Sequence, residues 1–304
     1  MTRLGRGRVQ QGHPTLTETP GKRSGRARQQ KILCYVNHYF GTSSAFVGRS
    51  TGGDAQTRRK IVQAVIARLG ALPGELDICV CGFPEAALVA IDVDLSDIGD
   101  PRLIVYESIE RMFAAINDYD WFLNIEDDIF VQDNLVPNAR AFAAISEINE
   151  VWLPNRMESR ADGTLLCVDL EAMPGWTGVE RQFQGETLGV AHNHHSGLFL
   201  LSREQMRYAS TRVPLNRREE FHGGLMASAY ANIHAPFLLW RAKSAPLAHY
   251  VIHADNWLFS ADARAAKQSE PESREEAPAA ARDADPEAGL RAEIASKDAE
   301  LSAE

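Results

Sequence analysis

The sequence predicts an α/β fold built on a doubly wound, mostly parallel sheet with helices on both faces. Residues 32–36 and 121–125 are almost continuously apolar instead of alternating, which is typical of parallel strands covered on both sides. From residue 31 to residue 125 the chain reads strand, helix, strand, strand, helix, strand, as layered α/β proteins do. With 304 residues, 44% of them hydrophobic and 24% charged, the chain suits one large or two ordinary globular domains.

The first half of the chain contains four predicted strands and two predicted helices. We expect the strands at residues 31–39, 75–81, 103–106 and 121–125. The first helix, at 57–69, has one regular apolar face and ends at Gly70. The second helix begins at Ser108 and also carries apolar residues on one side.

The second half is less regular. A helix is expected at 134–147, a short strand at 151–154, and a strand at 198–201. Ser202 and Gln205 then form a capping-box pattern for a short helix, and another helix is expected at 225–233. Residues 155–190 are mixed and contain several glycines, so we interpret them as an insertion or a flap.

Three adjacent acids follow the strand predicted at 121–125. Glu126, Asp127 and Asp128 lie between this strand and the apolar residues 129–131, and burying ionised carboxylates without a positive partner is costly. A hard divalent cation, which prefers oxygen ligands, would remove that cost. Ligands of open α/β sheets bind at the carboxyl ends of strands, where this triplet falls. The pattern indicates a metal site, with a solvated acidic turn as the alternative.

A strand that ends in a short acidic cluster of the Asp-x-Asp type resembles the signature of metal-dependent, nucleotide-sugar glycosyltransferases of the GT-A fold. The cluster here is Glu126-Asp127-Asp128, with Glu in the first position. The resemblance in layout covers residues 31–259 and implies a GT-A-like domain at 31–260, with a nucleotide-sugar half at 31–135 and an acceptor half at 136–260. It implies that Asp128 binds Mn²⁺ or Mg²⁺ and that the ion bridges the donor diphosphate. Glu126 and Asp127 would then support the metal or face the ribose.

The same resemblance suggests further donor-binding residues. Asn37 and His38 end the first predicted strand, where GT-A enzymes meet the base and ribose of the nucleotide; His38 could equally cap the strand end. Arg58 stands with two other basic residues at one end of the first helix and could bind phosphate, although a solvated helix face also explains such residues.

A histidine late in the chain is expected to complete the metal shell, as it does in several GT-A enzymes. His249 and His253 are the candidates, and His253, followed by Asp255, is better placed at a strand end. The alternative is a structural histidine satisfied within the fold.

The acceptor side is expected around a glycine turn before the strand at 198–201. His194, His195, Ser196 and Gly197 resemble the segment that lines the acceptor pocket in GT-A enzymes and are the candidate acceptor-binding residues. His192, His194 and His195 also form a possible metal cluster, but neighbouring residues of a strand point in alternate directions, so at most two could converge.

An acid ahead of the helix at 225–233 resembles the acid that many GT-A enzymes carry near the acceptor. Glu219 or Glu220 could accept a proton from the acceptor hydroxyl or position it, and we favour Glu220. The alternative is an acid favoured by the positive end of a helix dipole.

The two ends of the chain have opposite charge. Residues 1–31 hold eight Lys and Arg and one acid, and residues 268–304 hold eleven acids and four Lys and Arg. We predict a disordered basic arm at 1–30 and a disordered acidic tail at 261–304. The arm could touch anionic lipid, or it could be an unselected tail.

The remaining chain is mildly acidic, with 29 acids against 20 Lys and Arg, which argues against a nucleic-acid partner. Four cysteines without zinc spacing predict free core thiols in a reducing compartment. The N-terminus lacks the apolar segment of a secretory signal, and no apolar run reaches membrane-span length. We therefore expect a cytoplasmic protein, with the inner face of the membrane as a further location.

The sequence thus predicts a metal-dependent hexosyltransferase with Mn²⁺ or Mg²⁺ as cofactor. Its donor would be a UDP- or GDP-linked sugar and its acceptor a glycan, a lipid-linked molecule or a protein. Three other functions stay open: a nucleotidyltransferase on a similar sheet, a metal hydrolase built on the histidine cluster, and a non-catalytic carbohydrate-binding protein with a structural cation.

Overall fold

The computed structural model describes residues 30–41, 55–159, 164–171, 175–194, 197–221, 224–245 and 247–254. The acidic tail at 261–304, and all but the last residue of the basic arm at 1–30, lie outside these ranges. The helices are α1 (Ala55–Gly70), α2 (Ile104–Ala114), α3 (Leu135–Ala143), α4 (Val168–Glu171), α5 (Arg203–Ser210) and α6 (Leu225–His234). Across the described ranges, none of the helices has the length and apolar character needed to cross a membrane.

The strands, in chain order, fall into three sheets. They are β1 (Lys31–His38), β2 (Glu75–Gly82), β3 (Val93–Asp94), β4 (Trp121–Glu126), β5 (Ile129–Phe130), β6 (Glu150–Trp152), β7 (Asn155–Ser159), β8 (Leu165–Cys167), β9 (Trp176–Phe183), β10 (Glu186–Ala191), β11 (Leu198–Ser202), β12 (Leu238–Ala242) and β13 (Tyr250–His253).

The five-stranded sheet has the order β11-β4-β1-β2-β3 and is mostly parallel. β1 pairs in parallel with β2 and β4, β2 pairs in parallel with β3, and β11 runs antiparallel to β4 at one edge. Asn37 lies opposite Glu126 in the β1–β4 register, so both strands end at the same edge of the sheet. Polar residues that follow these strands are therefore brought together.

Helices cover both faces of this sheet, because alternate residues of its strands enter two different cores. Ile32, Cys34 and Val36 of β1 pack in one core with residues of α1 and α3. Leu33 and Tyr35 pack in the other with residues of α2, α5 and α6. This arrangement explains why β1 and β4 are apolar on both sides. The predicted α/β class, with a mostly parallel sheet between helices, is confirmed.

Two four-stranded sheets, β6-β12-β10-β9 and β5-β13-β7-β8, complete the described part of the fold. Residues 155–190, interpreted from the sequence as an insertion or flap, contribute β7, β8, α4, β9 and much of β10 to them. This segment is thus part of the framework. β13 lies between β5 and β7, which joins the end of the described chain to the residues just after β4.

The strand predicted at 103–106 is wrong, because α2 begins at Ile104. Pro101 and a hydrogen bond from the Arg102 amide to the Asp100 carboxylate start a short 3₁₀ turn that leads into the helix. Val105 and Tyr106 are buried on α2, so their apolar character reflects a helix face. The third strand of the sheet is the two-residue β3.

The four cysteines are free thiols, as predicted. Cys34, Cys81 and Cys167 are buried and Cys79 is half-buried. Burial raises the pKa of the Cys34 and Cys81 thiols well above the ordinary value, and that of Cys167 to about 11. These thiols are therefore protonated core residues at neutral pH.

Candidate active site

The acidic triplet lies at the carboxyl end of β4: Glu126 is the last residue of this strand, and Asp127 and Asp128 form the turn to β5. Ile125 and Ile129 on either side are fully buried, which draws the turn into the protein. Asp127 is 5% exposed and Asp128 is 6% exposed. The alternative of a solvated acidic turn does not describe these two residues. Each needs compensating charge or hydrogen bonds, and the two aspartates obtain them differently.

Asp127 is satisfied within the protein. The Leu88 amide donates to Nε2 of His38 at 2.8 Å, so Nδ1 carries the hydrogen and donates to Asp127 Oδ2 at 2.5 Å. Nη2 of Arg58 pairs with Asp127 Oδ1. Asp127 thereby ties the end of β1 and the first turn of α1 to the acidic turn.

Asp128 has one satisfied oxygen and one unsatisfied oxygen. Its Oδ2 lies 3.2 Å from Nη1 of Arg58 and 3.6 Å from Nε2 of His253. Its Oδ1 is buried and has no hydrogen-bond partner among the described residues. Burial would raise the pKa of Asp128, but His253 and Arg58 hold that pKa below its ordinary value. Asp128 is thus an ionised carboxylate with one unused acceptor.

Glu126 faces the same space. Its amide donates to the Gly197 carbonyl at 2.9 Å, and a Cβ atom at Gly197 would lie 3.0 Å from Glu126 Oε2. Gly197 has φ of 67°, the left-handed region that favours glycine. Burial, and then the charge of Asp128, raise the pKa of Glu126 to about 7.

His253 is the third member of the group. Its Nδ1 lies 2.7 Å from Oε1 of the buried Glu158, and its Nε2 faces Asp128. Burial would lower the pKa of His253, but Asp128 and Glu158 raise it to about 10. One ligand atom each from Glu126, Asp128 and His253 lies within 4.8 Å of the other two. The three residues predicted from the sequence as metal ligands therefore converge, although metal binding itself stays a prediction.

Asn37 and His38, predicted to bind the nucleotide, are both buried. Asn37 Nδ2 donates to Asn124 Oδ1 at 2.7 Å, and Tyr230 donates to the same oxygen at 3.2 Å. These bonds and the His38–Asp127 bond place both residues beneath the acidic turn. Direct contact with the nucleotide stays a prediction for them.

The predicted acceptor segment lies partly beside the acids. Gly197 contacts Glu126, and the carbonyl of the half-buried His194 accepts a hydrogen bond from His234 Nδ1 at 2.9 Å. Burial lowers the pKa of His234 to about 3, so this imidazole is neutral. His195 and Ser196 lie outside the described residues.

Glu219 and Glu220, predicted as the base, are exposed. The Glu219 carboxylate pairs with Arg217 at 3.2 Å, and its carbonyl accepts a hydrogen bond from Tyr106. Glu220 interacts electrostatically with Arg102. A catalytic role for either residue stays a prediction.

The alternative histidine sites differ in character. His192 is exposed, and within the described ranges neither it nor His194 belongs to a group of potential metal ligands. His249 is a core residue: its Nδ1 accepts from Trp152 Nε1 at 3.1 Å, and its ring packs on Phe183. The choice of His253 over His249 agrees with this geometry.

Sequence reasoning missed a buried ionic network beside the acids. Asp169 on α4 pairs with Arg156 of β7 at 3.0 Å and with Arg241 of β12 at 3.0 Å. Glu158, two residues after Arg156 on β7, contacts His253. Arg156 and Glu158 alternate with the uncharged Asn155, Met157 and Ser159, and this period of two could have revealed a strand with one charged face.

Comparisons with known proteins give structural similarity only. Neither the protein-family models nor the curated proteins include a match. A crystal structure of the galactosyltransferase LgtC with donor and acceptor sugar analogs is 14% identical, with 69% of this chain and 72% of that chain covered and a TM-score of 0.32. A glycosyltransferase involved in glycosylation of the major capsid of PBCV-1 is 9% identical, with 78% and 97% covered and a TM-score of 0.22. TM-scores this low do not establish a shared function.

Proposed function

We propose that this protein is a metal-dependent glycosyltransferase of GT-A type that moves a sugar from a nucleotide diphosphate to a hydroxyl acceptor. The observation that carries the proposal is the convergence of Glu126, Asp128 and His253 at the carboxyl end of β4. That edge of an open α/β sheet is where such proteins bind their ligands.

The residues of this group fit a hard divalent cation. Two carboxylates and one imidazole supply the donor atoms, and carboxylate oxygens suit Mg²⁺ and Mn²⁺. The buried Oδ1 of Asp128 has no hydrogen-bond partner in the described chain, so an ion would satisfy an acceptor that is otherwise unpaired. Mn²⁺ or Mg²⁺ held there would neutralise charge on the departing diphosphate.

Other residues of the site would bind and orient the donor. The guanidinium of Arg58 lies beside Asp127 and Asp128. At this position it would bind the diphosphate of the donor. Asp127 positions Arg58 and links it to His38 at the end of β1. The exposed Glu220 is our candidate base for an inverting reaction; a retaining reaction would not need it.

The proposal includes the partners expected from the sequence. The donor is a UDP- or GDP-linked hexose, and the acceptor is a glycan, a lipid-linked molecule or a protein. We place the reaction in the cytoplasm, and contact of the basic N-terminal arm with anionic lipid would bring it to the inner face of the membrane.

A thermal-shift experiment with the full chain tests the site. UDP- and GDP-sugars are added with and without Mn²⁺ to the wild type, to Asp128→Asn and to Asp133→Asn. Asp133 is a matched control because its side chain is 75% exposed and forms a surface pair with Arg68. We expect stabilisation that requires the cation, about 2.7 kcal/mol at a ligand concentration 100 times Kd. Asp128→Asn should lose it and Asp133→Asn should keep it.

Two results would contradict the proposal. One is equal stabilisation of wild type and Asp128→Asn by a nucleotide sugar. The other is stabilisation by Mn²⁺ alone with no response to any nucleotide sugar, which would instead indicate a structural cation.

A further inference from the structure

Three neighbouring strands bring Asp128, His253 and Glu158 into one row. His253 lies opposite Ile129 of β5, the residue after Asp128, and the Ala254 amide donates to the Asp128 carbonyl at 2.8 Å. On the other side, β13 pairs in parallel with β7, with Ile252 opposite Met157. The next pair in that register is His253 and Glu158. The sheet therefore places the imidazole of His253 between the carboxylates of Asp128 and Glu158.

The two faces of these strands differ in polarity. Met157, Tyr250 and Ile252 belong to a small apolar cluster on one face. Glu158 and His253 alternate with these residues and lie on the opposite face, toward the acids. Strand alternation thus keeps both side chains directed into the candidate metal site.

The contact between Glu158 and His253 sets the tautomer of the neutral imidazole, the form in which histidine binds a metal ion. Glu158 is 2% exposed, and its Oε1 lies 2.7 Å from Nδ1 of His253. Because a carboxylate oxygen accepts, Nδ1 must carry the hydrogen. Nε2 is then the ring nitrogen that faces Asp128, at 3.6 Å.

The strand pairing alone does not explain a buried carboxylate at this position. Oε2 of Glu158 has no hydrogen-bond partner among the described residues, so the side chain is only half satisfied. The neighbouring Arg156 is directed to Asp169 by a 3.0 Å pair. Within the described ranges, the Glu158 side chain forms its hydrogen bond with His253, and this bond orients the imidazole.

We propose that Glu158 is a positioning residue that holds His253 with Nε2 available to the divalent cation of the neighbouring acids. This inference deepens the proposed function and rests on it. Histidine ligands in metal sites usually donate their second N–H to such an outer acceptor, and loss of the acceptor typically weakens metal affinity about 10- to 100-fold. Glu158 would therefore control the nitrogen ligand without touching the ion.

Two conservative variants of Glu158 distinguish the effect of side-chain length from the effect of charge. Glu158→Gln keeps an acceptor oxygen at the same distance from the backbone but removes the charge. Glu158→Asp keeps the charge but is one methylene shorter, so its carboxylate falls short of His253. Glu150→Gln is the matched control, because Glu150 is a buried carboxylate that bonds Arg181 and Trp240 instead.

The measurement is Mn²⁺ binding by electron paramagnetic resonance, with and without UDP, using the metal as the probe. Electron spin-echo modulation from ¹⁴N reports whether an imidazole nitrogen is bound to Mn²⁺. We expect this signal in the wild type, in Glu158→Gln and in Glu150→Gln. Glu158→Asp should lose the signal and bind Mn²⁺ about 10- to 100-fold more weakly.

The inference is overturned if the wild type shows no ¹⁴N signal, or if Glu158→Asp matches the wild type in both signal and affinity. It is also overturned if Glu158→Gln loses as much affinity as Glu158→Asp, because charge alone would then explain the effect. Failure of the proposed function looks different: Mn²⁺ would bind with the nitrogen signal and the expected variant pattern, but no nucleotide sugar would stabilise the protein.

Discussion

Gly197 makes the close approach between β11 and the acidic turn possible. Its φ of 67° is unfavourable for other residues, and an added Cβ would lie 3.0 Å from both Glu126 Oε2 and Ile129 Cδ1. We expect Gly197→Ala to cost about 1–2 kcal/mol of unfolding free energy from the backbone alone. The variant should also weaken Mn²⁺ binding, because Glu126 must move.

Urea unfolding and Mn²⁺ titration of the same variant check this prediction. Gly185→Ala is the control, since Gly185 also has positive φ, 86°, but an added Cβ there would have no atom within 4 Å. It should lose stability and keep its Mn²⁺ affinity. If both variants bind Mn²⁺ like the wild type, Gly197 does not shape the site.

At the scale of single residues, the sequence predicted some of the site and missed the rest. Glu126 and Asp128 could be found because acids between buried apolar residues are unusual, and His253 because it ends a late apolar strand. Glu158 could not be found in this way, because its role depends on the pairing of β7 with β13. Strand pairing across about a hundred residues leaves no local pattern.

Among the elements, α5 has the best-defined start. The Ser202 hydroxyl accepts from the Gln205 amide at 3.2 Å, and the Gln205 side chain accepts from the Ser202 amide at 3.0 Å. This capping box was predicted from the sequence and is confirmed. We expect Ser202→Ala to lower the unfolding free energy by about 1 kcal/mol.

Chemical denaturation measures this effect. Ser210→Ala is the matched control, because that exposed hydroxyl donates to the Arg207 carbonyl at the other end of the same helix. Its stability should change by less than that of Ser202→Ala. Equal losses would mean that the N-terminal cap adds nothing specific.

The misassigned strand at 103–106 shows where element prediction fails. Four consecutive apolar residues are compatible with a buried strand or with the first turn of a buried helix. Asp100 and Pro101, just upstream, favour the helical path, since they provide the cap and the first-position proline of the 3₁₀ turn that leads into α2. The true edge strand, β3, is too short to produce a period.

Across the whole molecule, Asp169 joins the two smaller sheets. It pairs with Arg156 of β7 in one sheet and Arg241 of β12 in the other, and all three side chains are buried. Asp169→Asn would leave two buried guanidinium groups without their carboxylate. We expect a loss of about 3–5 kcal/mol in unfolding free energy, the range for breaking a buried ion pair.

The unfolding free energy lost in Asp169→Asn should depend on pH. Burial would raise the pKa of Asp169, but Arg156 and Arg241 lower it to about 2 from its ordinary value of 3.8. A lowered pKa stabilises the folded state above about pH 4, and this stabilisation is lost as the pH falls toward 2. The stability gap between wild type and Asp169→Asn should therefore shrink in that range by roughly 2 kcal/mol.

Unfolding experiments between pH 2 and pH 6 provide the measurement. Asp97→Asn is the control, because Asp97 is 73% exposed and its 3.6 Å pair with Arg111 is a surface interaction. It should change stability by about 0–1 kcal/mol with little dependence on pH. If the stability difference between wild type and Asp169→Asn stays constant down to pH 2, the lowered pKa of Asp169 is contradicted.

At this scale the central α/β sheet was predictable and the two smaller sheets were not. Strands β1 and β4 are long and almost continuously apolar, and β2 contains the apolar run 78–81, so these runs identified them. Strands β7 to β10 are short or have charged faces, and their order depends on contacts with β12 and β13 far along the chain. Local sequence does not contain that information.

β13 contributes both to the sheet and to the candidate site. It fills the place between β5 and β7, and it supplies the imidazole that faces Asp128. Ribosomes make Glu126 and Asp128 long before His253, so a nascent polypeptide carries acids that still lack their nitrogen partner. A product cut or stopped before residue 250 would lack both the bridging strand and that partner. Under the proposed function, retention of the cation would distinguish intact, fully assembled molecules from incomplete ones in a preparation.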